Sequence, residues 1–167
     1  MRRGLTLLVP AMALAACSGE PAEPAPEAVP ETAAAANVPS FGVAGVLTEE
    51  DIAGAELGGE LGCSFTEAGA DGPALVAMGW VGANRSSQGV LKLDGETVGV
   101  RSREASGFGG MIEGAEFLGG DLVVNVMQIS EEDTDPGEAS TYPAELEIMR
   151  ASNGEMSVAA GEWTCGP

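Results

Sequence analysis

Three glycine-bearing turn signals, Asp94-Gly95, Gly119-Gly120 and Ser152-Asn153-Gly154, cut the second half of this chain into apolar runs too short for stable helices. Asp94-Gly95 is a two-residue hairpin signal of type I′, whose central residues both need positive φ. Pairing across it sets Leu91 opposite Val98 and Lys92 opposite Thr97, which separates a core side from a solvent side. Gly119-Gly120 divides residues 111–118 from residues 121–129, where Leu122, Val124 and Val126 share one face by strand alternation. A third hairpin joins residues 144–150 to residues 155–160. A two-residue Asn153-Gly154 loop would set Met149 against Val158 and leave Leu146 opposite Gly161. A three-residue Ser152-Asn153-Gly154 loop pairs Ile148 with Val158 and Leu146 with Ala160. The second register gathers the large apolar side chains on one face and is the one expected.

Further upstream, residues 74–81 are apolar on both faces, as in a covered strand, and residues 60–66 form the strand before them. Thr48 as N-cap with Asp51 three residues later has capping-box spacing, and Glu49, Glu50 and Asp51 put negative charge at the positive end of a helix dipole. Leu47 and Ile52 occupy staple positions, and Gly58-Gly59 supplies a stop, so a short helix is expected over residues 49–57. The fold class that follows is all-β: a single antiparallel sheet forming a barrel or sandwich of seven to eight strands, with one short N-terminal helix.

The N-terminal region has a different character. Met1-Arg2-Arg3 is a positive start, and the apolar stretch of residues 5–16 has the length of a signal h-region rather than the roughly 20 residues of a spanning helix. Leu14-Ala15-Ala16-Cys17 resembles the lipobox of bacterial lipoproteins, in which a branched residue and two small ones precede an invariant Cys. The resemblance implies that residues 1–16 are a signal peptide and that Cys17 is the lipid-modified first residue of the mature chain. It also implies an envelope location with the membrane as partner through Cys17. Several acyl chains hold a protein at a bilayer where a single one binds only reversibly. Ser18, where Asp would signal inner-membrane retention, points to the outer membrane. An ordinary cut after Ala13-Leu14-Ala15, leaving Cys17 as a stray thiol, is the alternative. The rest of residues 17–40 is Pro, Ala and Glu, a composition that buries nothing and extends to about 3 Å per residue as a tether. Residues 41–167 then make one acidic β-rich globular domain.

With Cys17 lipidated, Cys63 and Cys165 remain, and in an oxidising envelope compartment they are expected to form one disulfide tying the first strand to the last. Neither sits in a Cys-x-x-Cys spacing, which speaks for a structural role over a redox one.

The formal net charge is −19. A chain this acidic repels phosphate backbones and anionic lipid surfaces, so no nucleic acid is expected as a partner, and a basic protein is favoured. Solubility alone also accounts for such a charge. There is no histidine, which removes Ser-His and Cys-His pairs and most zinc sites. Neither catalytic residues, nor a metal site, nor any cofactor is expected. The densest acidic run, residues 131–138, alternates Asp133 and Asp135 before Gly137, but Pro136 and the spacing depart from a calcium loop, so a solvated loop is expected. Ser106-Gly107-Phe108-Gly109-Gly110 reads as a flexible connection, with Phe108 as the one residue suited to an exposed anchor. Trp80 and Trp163 are expected to pack in the core beside the disulfide.

The function expected is that of an envelope-anchored lipoprotein with a non-catalytic binding or structural domain. One specific form is an inhibitor of a basic enzyme such as lysozyme. Ser106-Gly107-Phe108 looks similar to the Ser-Gly-Arg-Tyr loop of membrane-bound inhibitors of C-type lysozyme, although that loop's Arg and Tyr have no counterpart here. A carrier holding a small ligand inside a barrel is the alternative of a different class, and an unfilled interior would distinguish it.

Overall fold

The computed structural model describes Gly42, residues 44–135 and residues 137–167. The signal segment, Cys17 and the tether lie outside the described residues. Eight strands follow one short helix: α1 (Glu49–Gly54), β1 (Leu61–Glu67), β2 (Leu75–Gly79), β3 (Gln88–Leu93), β4 (Glu96–Ser102), β5 (Gly114–Gly119), β6 (Leu122–Gln128), β7 (Ser140–Arg150) and β8 (Met156–Gly166). Each strand pairs antiparallel with its neighbours in sequence, and β8 returns to pair with β1, so the sheet is a closed up-and-down barrel.

The local signals act where the sequence puts them. Asp94 and Gly95 take φ of +51° and +83°, and the ladder across them sets Leu91 against Val98 and Lys92 against Thr97. Thr48 and Asp51 form the capping box reciprocally. The helix is shorter than expected, ending at Gly54 with Ala55 as C-cap and Glu56 in the left-handed region at φ +48°. Its segment is fastened along the outside of β3. Gly45 N–H donates to the Lys92 carbonyl at 3.1 Å, Lys92 Nζ reaches Asp51 at 2.9 Å, and Gly58 N–H donates to Gln88 Oε1 at 3.3 Å. Leu47 and the outward-facing Val90 are both buried outside the interior cluster.

The interior is built from alternate residues of every strand. Phe65 pairs with Leu75 on one side and Trp163 on the other, and Leu75 continues the row to Leu91 and Val98. Phe117, Val124, Ile148 and Leu146 complete the opposite wall, and all but Val98 are buried to within a few per cent of their surface. Charged side chains of the strand centres, such as Lys92, Glu145 and Glu147, alternate with these and face outward, the reverse of the pattern in a barrel that spans a bilayer.

The β7–β8 register differs from the expectation. Ile148 pairs with Ser157 and Leu146 with Ala159, around a loop in which Arg150 N–H donates to the Glu155 carbonyl. Val158 lies on the outside, paired with Glu147. The reason is volume at the far end of β8. Trp163 and Cys165 must face inward, which selects Ala159 and Gly161 as their companions. A Cβ at Gly161 would stand 2.8 Å from Phe65 Cζ and 2.1 Å from the Thr66 carbonyl. Small residues on β8 make room for the rings of its neighbours.

Cys63 and Cys165 are directly opposed in the β1–β8 ladder with Cα atoms 4.1 Å apart, and they form the disulfide. It lies inside the barrel at the seam where the first and last strands meet. Replacing both cysteines by Ala should lower unfolding stability by about 4–5 kcal/mol, the entropy of closing a loop of this length, measured by urea denaturation with the sheet's circular dichroism retained.

The Asp51 carboxyl is held down from 3.8 to about 2 by the Thr48 backbone N–H and by the Lys92 side chain. Because the folded value is the lower one, the contribution is complete above about pH 4 and is lost as pH falls through about 2. The stability difference between the wild type and Asp51→Asn should therefore be constant at neutral pH, shrink below about pH 4 and disappear only below about pH 2.

Candidate functional site

The connection from β4 to β5 defines the upper mouth of the barrel, where β2 ends and β3 begins. It is an ordered crossing rather than a flexible link. Gly107 N–H donates to the Arg85 carbonyl at 2.9 Å, Phe108 N–H donates to the Trp80 carbonyl at 3.1 Å, and Ser87 Oγ donates to the Gly107 carbonyl at 3.1 Å. Gly107 has φ +60°, and a Cβ there would stand 2.4 Å from the Trp80 carbonyl oxygen, so glycine is required for this approach. Phe108 packs against the interior cluster instead of standing exposed, which corrects its reading as an anchor.

Three residues on, Met111 is fully buried, and its carbonyl accepts the Trp163 indole N–H at 2.7 Å. The crossing thus plugs the mouth, held by a tryptophan from the last strand. Trp163 is core as expected. Trp80 is half-buried at the rim, with the Arg85 guanidinium 5.4 Å above its ring.

Where the plug leaves the mouth, a cleft of about 630 Å³ opens between residues 112–113, the end of β6 and the start of β7. Ile112 and Ile129, 38% and 59% exposed, line it with the half-buried Tyr142, and Glu113 and Glu131 stand exposed at its edge. Gln128 Nε2 donates to the Ile112 carbonyl at 2.7 Å and fixes the plug's exit against β6. Ile129 N–H donates to the Pro143 carbonyl at 2.9 Å and fixes the opposite side against β7. Among the described residues no basic side chain lines the cleft. Apolar sides with carboxylates at the edge suit an aliphatic stem that ends in a positive charge, the chemistry of Lys and Arg side chains.

Of the residues singled out from sequence, Cys63 and Cys165 come together in the disulfide, and Cys17 lies outside the described residues. In the acidic run, Asp133 Oδ1 accepts the N–H groups of Asp135 and Thr141 at 3.1 and 3.0 Å, so this carboxylate shapes its own loop. Among the described residues no group of three or more His, Cys, Asp or Glu side chains is arranged to hold a metal ion. Sequence reading missed Ile112, Ile129 and Tyr142 because they come from two separate connections and from the start of β7. The only signal was an isoleucine with a Glu shortly after it, Ile112 before Glu113 and Ile129 two residues before Glu131.

The chain has no match among models of protein families, among curated proteins or among solved structures.

Trp163→Phe removes the donor to the buried Met111 carbonyl and should cost about 1–3 kcal/mol. Hydrogen exchange should accelerate across residues 103–113 while the amides of β6 and β7 stay protected.

Proposed function

We propose that this chain is an envelope-anchored lipoprotein, held at the outer membrane through Cys17, whose barrel is a non-catalytic binding domain for a cationic protein. The observation that carries the reading is the cleft beside Tyr142. It combines exposed isoleucines with Glu113 and Glu131, and among the described residues no positive charge lines it. A basic partner supplies both an apolar stem and the complementary charge, and the acidic surface around it speeds encounter. The absence of histidine and the engagement of both domain cysteines in a disulfide favour binding over catalysis.

Inhibition of a basic enzyme that attacks the envelope, such as lysozyme, is the specific form of this reading with an immediate assay. A carrier function within the barrel is disfavoured, because Phe65, Leu75, Leu91, Met111, Phe117 and Trp163 occupy the interior. An apolar ligand would have to displace them at a cost of several kcal/mol.

Calorimetry of the mature chain in lipid nanodiscs with C-type lysozyme tests the reading. Saturable binding that persists at about 0.15 M salt and is lost in Ile129→Asp is expected, with enzyme activity falling in parallel if the domain is an inhibitor. Binding that disappears with screening, or that Ile129→Asp leaves intact, would overturn the cleft as the site.

A further inference from the structure

The outer wall of β5–β8 carries a feature that the cleft does not use. Cross-strand partners share a face, and Leu118 pairs with Val123, Val123 with Met149, and Met149 with Met156. One unbroken apolar row therefore crosses four adjacent strands on the outside of the barrel. Leu118 and Met156 are 38% and 51% exposed, and Val158, two residues along β8 on the same face, is 54% exposed.

On β4 the row ends at the exposed Arg101, and the two rows beside it between β5 and β8 carry three carboxylates and no basic residue. The next contains Glu116, Asn125, Glu147 and Val158, and the one after contains Met127, Glu145 and Ala160. Glu116 is neutralised by Arg103, but among the described residues no ion pair reaches Glu145 or Glu147. Single exposed apolar residues need no explanation, whereas an aligned row with polarisable methionines and acidic neighbours is the composition of an interaction surface.

We infer that this wall docks a cationic amphipathic segment of a partner protein, with apolar side chains along the row from Leu118 to Met156 and Lys or Arg over Glu145 and Glu147. This rests on the reading that the partner is cationic, but it uses a face separate from the cleft. The geometry fits. Four strands about 4.8 Å apart span about 14 Å, the length of nine or ten helical residues at about 1.5 Å each. Charge selects the occupant: a second copy of this chain would set Glu145 and Glu147 against their own kind, and an anionic lipid surface would repel both.

The test uses the mature chain in zwitterionic nanodiscs, with methyl NMR of Met, Ile and Val, and a synthetic Leu/Lys amphipathic peptide as probe. A Leu/Glu peptide with the same apolar face is the control. The Leu/Lys peptide is expected to shift the Met149 and Met156 methyls saturably. Met156→Ser with Val158→Ser should weaken binding at least tenfold. Glu145→Gln with Glu147→Gln should weaken it severalfold and flatten its salt dependence.

Four results would overturn the inference. The first is no binding or an equal response to the Leu/Glu peptide. The second is shifts confined to Ile112 and Ile129, in which case the cleft reading stands and this one falls. The third is broadening of the Met149 and Met156 methyls by nanodisc lipid before peptide is added. The fourth is a dimer that the serine variants dissociate, which would make a second copy the occupant. Wall binding together with a lysozyme result that fails at the cleft would remove the cleft reading alone.

Discussion

Everything in this barrel depends on one long-range pairing. Each of the other strand pairs joins neighbours in sequence through a short connection, so their loop-closure cost is small. The β1–β8 pair instead brings together residues 102 apart, and without it the sheet has two open edges and a half-exposed interior. The cysteines sit in that ladder, directly opposed, with Phe65 against Trp163 two positions along. One covalent bond and one aromatic pair thus act on the strand pairing that joins the first and last strands of the barrel. In a folding sequence governed by contact order this seam closes late, and the disulfide makes its closure effectively permanent in an oxidising compartment.

The seam also determines what the interior can be. With Trp163 and Phe65 facing inward at the closure, the adjoining positions on β8 have to be small, and Ala159 and Gly161 are. Opposite them, Leu146, Ile148, Val124 and Phe117 fill the remaining width. An eight-stranded barrel has an interior just wide enough to be filled by side chains or to hold one small ligand, and this one takes the first course. Met111 then enters from the plug as one more interior residue, fixed by the indole of the same Trp163 that closes the seam. Seam, core and plug share a residue and are mechanically one unit.

This arrangement explains which parts of the structure were legible in the sequence. The Asp94-Gly95 hairpin and the capping box at Thr48 and Asp51 depend on residues within a few positions of one another, and both formed in the register that their spacing dictates. The all-β class and the alternation of Leu122, Val124 and Val126 followed from period-two patterning. The β7–β8 register was misread because the rule of matching large apolar residues across a hairpin was applied to two strands alone. The decisive constraint came from β1, a hundred residues away, whose Phe65 leaves no room for a side chain at Gly161. The plug was misread for a related reason. A glycine-rich run looks flexible until the carbonyls of Trp80 and Arg85 are seen to accept its amides. The cleft was invisible because its isoleucines and its tyrosine meet only after the barrel has closed.

A closed, filled barrel leaves few surfaces on which recognition can take place. Its closed sheet has no free edge among the described residues to extend a partner's strand, and its inward side chains are buried against one another. The plug covers one mouth, and where it rejoins the wall it creates the concavity flanked by Ile112 and Ile129. The remaining candidate is the wall itself, where alternation would normally place polar residues along every strand. The row from Leu118 to Met156 breaks that rule on four strands in succession, at positions where Leu, Val and Met contribute nothing to the core. In a chain of net charge −19, each of those positions had acidic alternatives that would have served solubility better. An apolar row maintained across an acidic wall is therefore an argument for contact with something that is itself apolar and positively charged.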